Sequence, residues 1–350
     1  VYSESATECP TEHRRSIPSL LILGLNHIGD AVLSLPLIHH LKTHFPQTHL
    51  TYIAGTKGAT TLLQYVPVID ELLETPFQFQ ALRNTIRHAS GYPFYGTLIL
   101  SASFVSAACT LGLRTGIRIG FNKEGRGIFL NHKFLVDTST HLVNRFLDLA
   151  IPLGIPSPDS PTYPSIILPK AQQIEVNQIL NTQWGKTTPP ILIASATTRP
   201  SKTYLPEYWQ TIVQHFDPNY PIGFIGGSMD YNTIHSCIPQ KTIQTKNLAG
   251  IVPRSLLPSL IQMSRLLITC DTGPMHLADA LGIPVIALFG ATSPDHYGPY
   301  TQREHVLYTP PTCSPCYQHH CTHSISMKCM QDIHPKTVIN RVNEVLCLTE

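Results

Sequence analysis

Charge is scarce in this chain of 350 residues. Lys and Arg number 24 and Asp and Glu 22, so 13% of residues are charged, about half the usual ~25%. A net charge of +2 provides no broad basic field, which argues against nucleic acid as the main partner. No apolar run reaches the ~18 residues that a membrane-spanning helix needs. The nearest, Thr97–Leu113, is broken by Ser101, Ser103, Ser106 and Thr110. The segment Val1–Ser19 lacks the apolar core of a secretory signal and reads as a disordered tail, with the cytoplasm as the expected compartment. On that reading the nine Cys are reduced thiols or ligands rather than a disulfide framework. The 30 Pro exclude coiled coils and long unbroken helices.

What is present is a repeated alternation. The apolar run Leu20–Leu25 leads through a turn at Gly29 and Asp30 into apolar residues at helical spacing, with Pro36 expected to kink the helix. Leu50–Ala54, Thr97–Leu100 and Ile117–Gly120 read as further strands, and His141–Leu153 as a helix. Four prolines then fall in the eleven residues from Gly154 to Pro164, a composition that suits a linker. Beyond it, strands are expected at Ile191–Ser195, Ile222–Ile225, Leu266–Thr269 and Val285–Phe289, with helices at Pro206–Phe216, Ser255–Met263 and Pro274–Ala280. Alternation in both halves predicts an α/β chain of two doubly wound, Rossmann-like domains facing across a cleft, at residues 20–160 and 161–350. Ligands of such domains bind at the carboxyl ends of the strands.

Three strand-end loops in the second half suit an anion. Asp271-Thr272-Gly273 precedes a helix with Pro274 and His276 in its first turn. Unpaired amides and a positive dipole end there favour a diphosphate, with Asp271 or Thr272 as alternative caps of an ordinary helix. The loop Gly290–Pro294 repeats the arrangement. After the Ile191–Ser195 strand, Thr197, Thr198, Arg199 and Lys202 offer two hydroxyls and two cations, in a segment that also fits a solvated turn. In the first half, Asp30 reads either as a helix N-cap or as a general base, held ionised at or below the ordinary carboxylate value by the helix end.

Together these segments resemble glycosyltransferase family 9, the ADP-heptose:lipopolysaccharide heptosyltransferases. The resemblance rests on Ile28-Gly29-Asp30, Ala196–Arg199 with Lys202, Asp271–Ala278 and Leu288–Pro294. Arg118–Phe121, His141–Arg145 and the terminal Cys-rich stretch add to it, and it runs from about Leu20 to Leu346. It implies a GT-B fold and inverting transfer of heptose from ADP-heptose to a lipopolysaccharide inner-core acceptor, with no essential metal. By position, Asp30 is then the catalytic base. Thr197, Thr198, Lys202, Ser228, Asp271, Thr272, Gly273 and His276 bind the donor. His27, Arg118, Lys123 and Arg126 meet the acceptor, with Arg114 in the same basic cluster. Ser228 departs from the pattern, since many members carry an acid just after the glycines that it follows, and Asp230 lies further on. A bilayer-tethered acceptor implies a peripheral association with the inner membrane.

Cys313, Cys316, Cys321 and Cys329 follow a C-x2-C-x4-C-x7-C spacing with His319, His320 and His323 between them. Four soft ligands in a short segment fit a structural Zn or Fe site; buried thiols or a disulfide fit as well. Two other functions stay open on the sequence: a protein (autotransporter) heptosyltransferase and an inactive nucleotide-sugar-binding protein.

Overall fold

The computed structural model describes residues 17–55, 57–101, 103–185 and 188–348. Cys9 and residues 1–16 of the expected tail lie outside them. The end of that expected tail is ordered instead. Ile17 is buried, its carbonyl accepts a hydrogen bond from Thr48 Oγ1 at 2.6 Å, and Ser19 opens the first strand.

Twelve strands form two parallel six-stranded sheets. The first holds β1 (Ser19–Leu23), β2 (His49–Ala54), β3 (Glu71–Glu74), β4 (Phe94–Ile99), β5 (Thr115–Phe121) and β6 (His132–Phe134), in the order β3-β2-β1-β4-β5-β6. The second holds β7 (Ile191–Ala194), β8 (Ile222–Phe224), β9 (Thr245–Asn247), β10 (Leu266–Cys270), β11 (Val285–Phe289) and β12 (Val306–Tyr308), in the order β12-β11-β10-β7-β8-β9. Read from its other edge, the second sheet repeats the first. In each, the first strand lies beside the fourth and the chain winds outward both ways. A crevice opens at the carboxyl ends of that central pair, where the connections diverge to opposite faces. In the first lobe this is the β1/β4 edge, in the second the β7/β10 edge.

The central strands are buried on both faces; Leu20 to Leu23 and Leu266 to Ile268 are inaccessible to solvent. This is why they read as unbroken apolar runs rather than alternating ones. A single apolar core extends across both lobes, with Val32, Leu37 and Val143 of the first contiguous with Met275 and Leu277 of the second. Pro36 acts as expected. The helix Ile28–Leu33 stops at Ser34, and a second helix, Leu35–His44, restarts with Pro36 in its first turn. The proline-rich linker has no regular structure from 155 to 169 and is tied to both lobes. The Ile167 N–H donates to the Tyr65 carbonyl at 2.8 Å, and the Tyr163 hydroxyl donates to Asp279 at 3.1 Å.

Candidate active site

The two crevices face each other, and two helix N-termini close the gap between them. The helix Ile28–Leu33 follows β1, and the helix Gly273–Ala280 follows β10. They meet glycine to glycine. A Cβ on Gly273 would lie 2.7 Å from Ile28 Cγ2, and one on Gly29 would lie 3.0 Å from His276 Cδ2 and 3.2 Å from Gly273 Cα. No other residue type permits this approach without a shift.

Asp30 is therefore held at the lobe interface, and two expectations about it are corrected. It is not the N-cap. His27 occupies that position, with no side-chain cap bond, and Asp30 stands inside the first turn. Its carboxyl also lies above, not below, the ordinary value of 3.8. Burial between the lobes is the main cause and outweighs His276, His27 and Lys202, which pull it down; Asp271 pushes it further up. Dehydration of a carboxylate here exceeds what the positive helix end returns.

Across the interface, Asp271 anchors the second-lobe residues. Its Oδ2 accepts from Lys202 Nζ at 2.5 Å and from Thr292 Oγ1 at 2.6 Å, so the loops after β7, β10 and β11 converge on one carboxylate. Thr272 is the N-cap residue, but its hydroxyl pairs with Thr269 Oγ1 at 2.9 Å and makes no cap bond. The amides of this turn thus lack the side-chain cap that the sequence suggested. His276 is buried, its Nδ1 has no hydrogen-bond partner, and burial holds the ring neutral against the pull of Asp271, Asp279 and Asp30. Thr197 is turned into its own loop, donating to the Arg199 carbonyl at 2.7 Å, while Thr198 is exposed. Ser228 is exposed at the end of β8, one strand further along, and Asp230 accepts from the Gly227 N–H at 2.8 Å.

A brace that the sequence did not reveal supports this set. Ser201, next to Lys202, donates its N–H to the His319 carbonyl at 3.2 Å and its hydroxyl to the Gln318 carbonyl at 2.5 Å. Ala291, next to Thr292, accepts from the Tyr317 N–H at 2.8 Å, and the Gly290 carbonyl accepts from Ser314 Oγ. The Cys-rich loop therefore fastens both loops that grip Asp271. Its cysteines, expected as a ligand set, lie near one another. Burial, and then Cys321, Cys316 and Cys313, push the Cys329 thiol up to about 11. Yet among the described residues no three His, Cys, Asp or Glu side chains are placed to hold a metal ion. All eight described cysteines are free thiols.

The first-lobe basic residues divide. His27 is exposed and close enough to Asp30 to lower its pKa. Lys123 is exposed beside Glu124, 3.7 Å away. Arg118 donates through Nε to the Phe129 carbonyl at 2.7 Å. Arg126 is buried, with Nε on the Phe121 carbonyl and a terminal nitrogen on the Ser101 carbonyl. It ties the ends of β4 and β5 together, so its expected role as an open acceptor contact is corrected to a structural one. Arg114 precedes β5, at the amino end of that strand, where its carbonyl accepts from the Phe94 N–H at 3.1 Å, and so stands at the opposite end from the other basic residues.

A second seam joins the lobes through His141, Asn144 and Tyr300. His141 Nδ1 accepts from the Val143 N–H at 3.2 Å, which leaves the proton on Nε2 to donate to the Gly298 carbonyl of the second lobe at 3.0 Å. Burial keeps this ring neutral, with its pKa pushed down to about 3. Tyr300 donates to Asn144 at 2.7 Å, and Arg145 lies 5.9 Å over the Tyr297 ring. The sequence motif His141–Arg145 is thus an interlobe fastening.

Comparison with known proteins agrees with this architecture. Lipopolysaccharide core heptosyltransferase OpsX of Haemophilus influenzae is 24% identical over 307 residues, covering 83% of this chain and 84% of the relative. Lipopolysaccharide heptosyltransferase 2 of Escherichia coli is 24% identical over 304 residues, covering 82% and 87%. Among solved structures, a family 9 glycosyltransferase from Veillonella parvula superposes with a TM-score of 0.80 at 21% identity, over 95% of this chain and 98% of that one. The E. coli ADP-heptose lps heptosyltransferase II gives 0.79 at 22%, over 95% and 99%. These likenesses establish the GT-B fold. The sequence profile described as glycosyltransferase family 9 (heptosyltransferase) matches residues 86–325, the latter half of the first lobe and most of the second. The chain belongs to that family and is a glycosyltransferase.

Proposed function

We propose that this enzyme transfers heptose from ADP-heptose to a hydroxyl of a lipopolysaccharide inner-core acceptor, with inversion. The observation that carries the reading is the convergence of Asp30 from one lobe with Lys202, Asp271 and the 272–276 turn from the other. A donor lying along the second-lobe loops presents its diphosphate to Lys202 and to the amides after Thr272, with Gly273 as part of that turn. Thr198 and Ser228 lie along the same strand ends, and His276 faces the sugar. The acceptor enters from the first lobe past His27, with Arg118 and Lys123 toward its anionic groups.

Asp30 then accepts the hydroxyl proton as the oxygen attacks the anomeric carbon from the face opposite ADP. The bond from that carbon to the phosphate oxygen breaks, and its electrons leave with ADP. Lys202 and the amides are preorganised for the charge that develops there. A carboxyl raised above its ordinary value is a stronger base than a solvated one, and so better matched to a hydroxyl proton released late. Incubation with a panel of nucleotide sugars and a deacylated inner-core acceptor tests the reading. ADP release from ADP-heptose, dependent on the acceptor, is expected. Release from another nucleotide sugar alone, or from none, contradicts it.

A further inference from the structure

One side chain of the interlobe seam is left without a hydrogen-bonding partner. Arg145 stands in the helix Leu142–Asp148 of the first lobe and is 7% exposed, and its Nε has no hydrogen-bond partner. Among the described residues its guanidinium makes no hydrogen bond and no ion pair. The Tyr297 ring of the second lobe lies under it at 5.9 Å. A ring face offsets part of the charge but accepts none of the five N–H donors in the way an oxygen does. Asp137 is near enough to be affected by Arg145, yet its Oδ1 is taken by the Ser139 hydroxyl and N–H. On the second-lobe side, Tyr317 stacks on His296 at 6.3 Å and hydrogen bonds to its Nδ1 at 2.7 Å, with the Tyr297 ring 6.5 Å away. A guanidinium withdrawn from water and left unpaired is costly, so its place here points to a ligand that completes it. The connection that ends at Tyr297 also carries Thr292, which grips Asp271 at 2.6 Å. The guanidinium therefore flanks the cleft on which the donor loops converge.

We infer that Arg145 and Tyr297 form a two-lobe site for one carboxylate or phosphate group of the acceptor. This rests on the proposed function in that the acceptor supplies the group. A guanidinium takes either oxyanion through parallel N–H bonds, so the bound group satisfies the orphaned donors and is held at the seam of both lobes. The first test is calorimetric titration of the full chain with inorganic phosphate, with ADP at saturation to fill the loops around Lys202. Wild type should bind phosphate, and Arg145→Met about tenfold more weakly. Arg145→Lys keeps the charge without the fork and should bind about threefold more weakly. Free of ligand, Arg145→Met should melt no lower than wild type, because it removes a buried unpaired charge. The second test is turnover on a deacylated inner-core acceptor. Arg145→Met should raise the acceptor KM about tenfold with kcat within about threefold. Methyl esterification of the acceptor carboxylates, or phosphatase treatment, should abolish the difference between the two chains, and the treatment that does so identifies the group. Equal phosphate affinity in wild type and Arg145→Met overturns the inference, as does a wild-type chain that binds no phosphate. So does an Arg145→Met chain that melts several degrees lower, the mark of a guanidinium that serves the fold, or a difference in acceptor KM that survives both treatments. Failure of wild type to turn over ADP-heptose with any acceptor, with phosphate binding still dependent on Arg145, would strike the proposed function and leave the anion site standing.

Discussion

In the first lobe the connection after the first strand presents a carboxylate, Asp30, while the matching connection of the second lobe presents a cation, Lys202. The sheets have the same strand order, so the difference lies in the turns alone. Asp30 has no ion-pair partner among the described residues, and burial raises its pKa. Lys202 is held at 2.5 Å by Asp271, from the fourth strand of its own sheet. One fold used twice thus presents a carboxylate on one side and an ammonium group on the other, which the proposed function makes the proton acceptor and the charge-stabilising group. The glycine contact between the helix ends makes them a single site.

One severe way to break this pairing is to remove the cation. Lys202→Met should lower kcat by about 10² to 10³, the range for losing a preorganised charge-stabilising donor, measured as ADP release at saturating acceptor. Separating the lobes comes next. Gly273→Ala places a Cβ 2.7 Å from Ile28 Cγ2, and the resulting misplacement of Asp30 should lower kcat/KM on the order of 10², with the fold intact by circular dichroism.

Much of this was legible in the sequence because the relevant strands are central. Eight runs foresaw β1, β2, β4, β5, β7, β8, β10 and β11 to within a few residues; burial of nearly every residue writes a largely apolar signature in seven of them, while β5, half-buried at Ile117 and Arg118, was legible only as the short run Ile117–Gly120. The four that escaped, β3, β6, β9 and β12, are the edges of the two sheets. Each is three or four residues long and partly exposed, so no pattern rises above the surrounding loop. The same logic governs the site. Asp30, Lys202 and Asp271 stand at ends of central strands and were visible. The brace from Tyr317 to His319 acts through main-chain carbonyls and one N–H, which almost any residue supplies whatever its side chain. Arg126 misled for the converse reason: its charge was visible, but its burial between the ends of β4 and β5 was not.

Smaller perturbations sharpen the comparison. Ser201→Ala removes one bond of the brace and should lower kcat by about two- to tenfold, since a neutral hydrogen bond contributes about 1 kcal/mol, without unfolding the chain. His141→Ala deletes an interlobe bond and should cost about 1–3 kcal/mol of stability in chemical denaturation. Its sign with pH follows from the lowered value. The neutral ring contributes fully above its ordinary 6.5, and the contribution is lost as pH falls from there toward about 3. Wild type should therefore lose stability over that window, and His141→Ala should lose less.

Asp30 offers the sharpest discrimination, because stability and activity should move in opposite directions. Raised by burial, its carboxyl favours folding when protonated, and this contribution is lost as pH rises through the raised value. Asp30→Asn should therefore melt up to about 3 °C higher at neutral pH. The decisive measurement pairs ADP release with donor affinity for this variant. The account predicts turnover reduced by about 10³ with donor affinity within about threefold of wild type. Turnover that survives the substitution would contradict it.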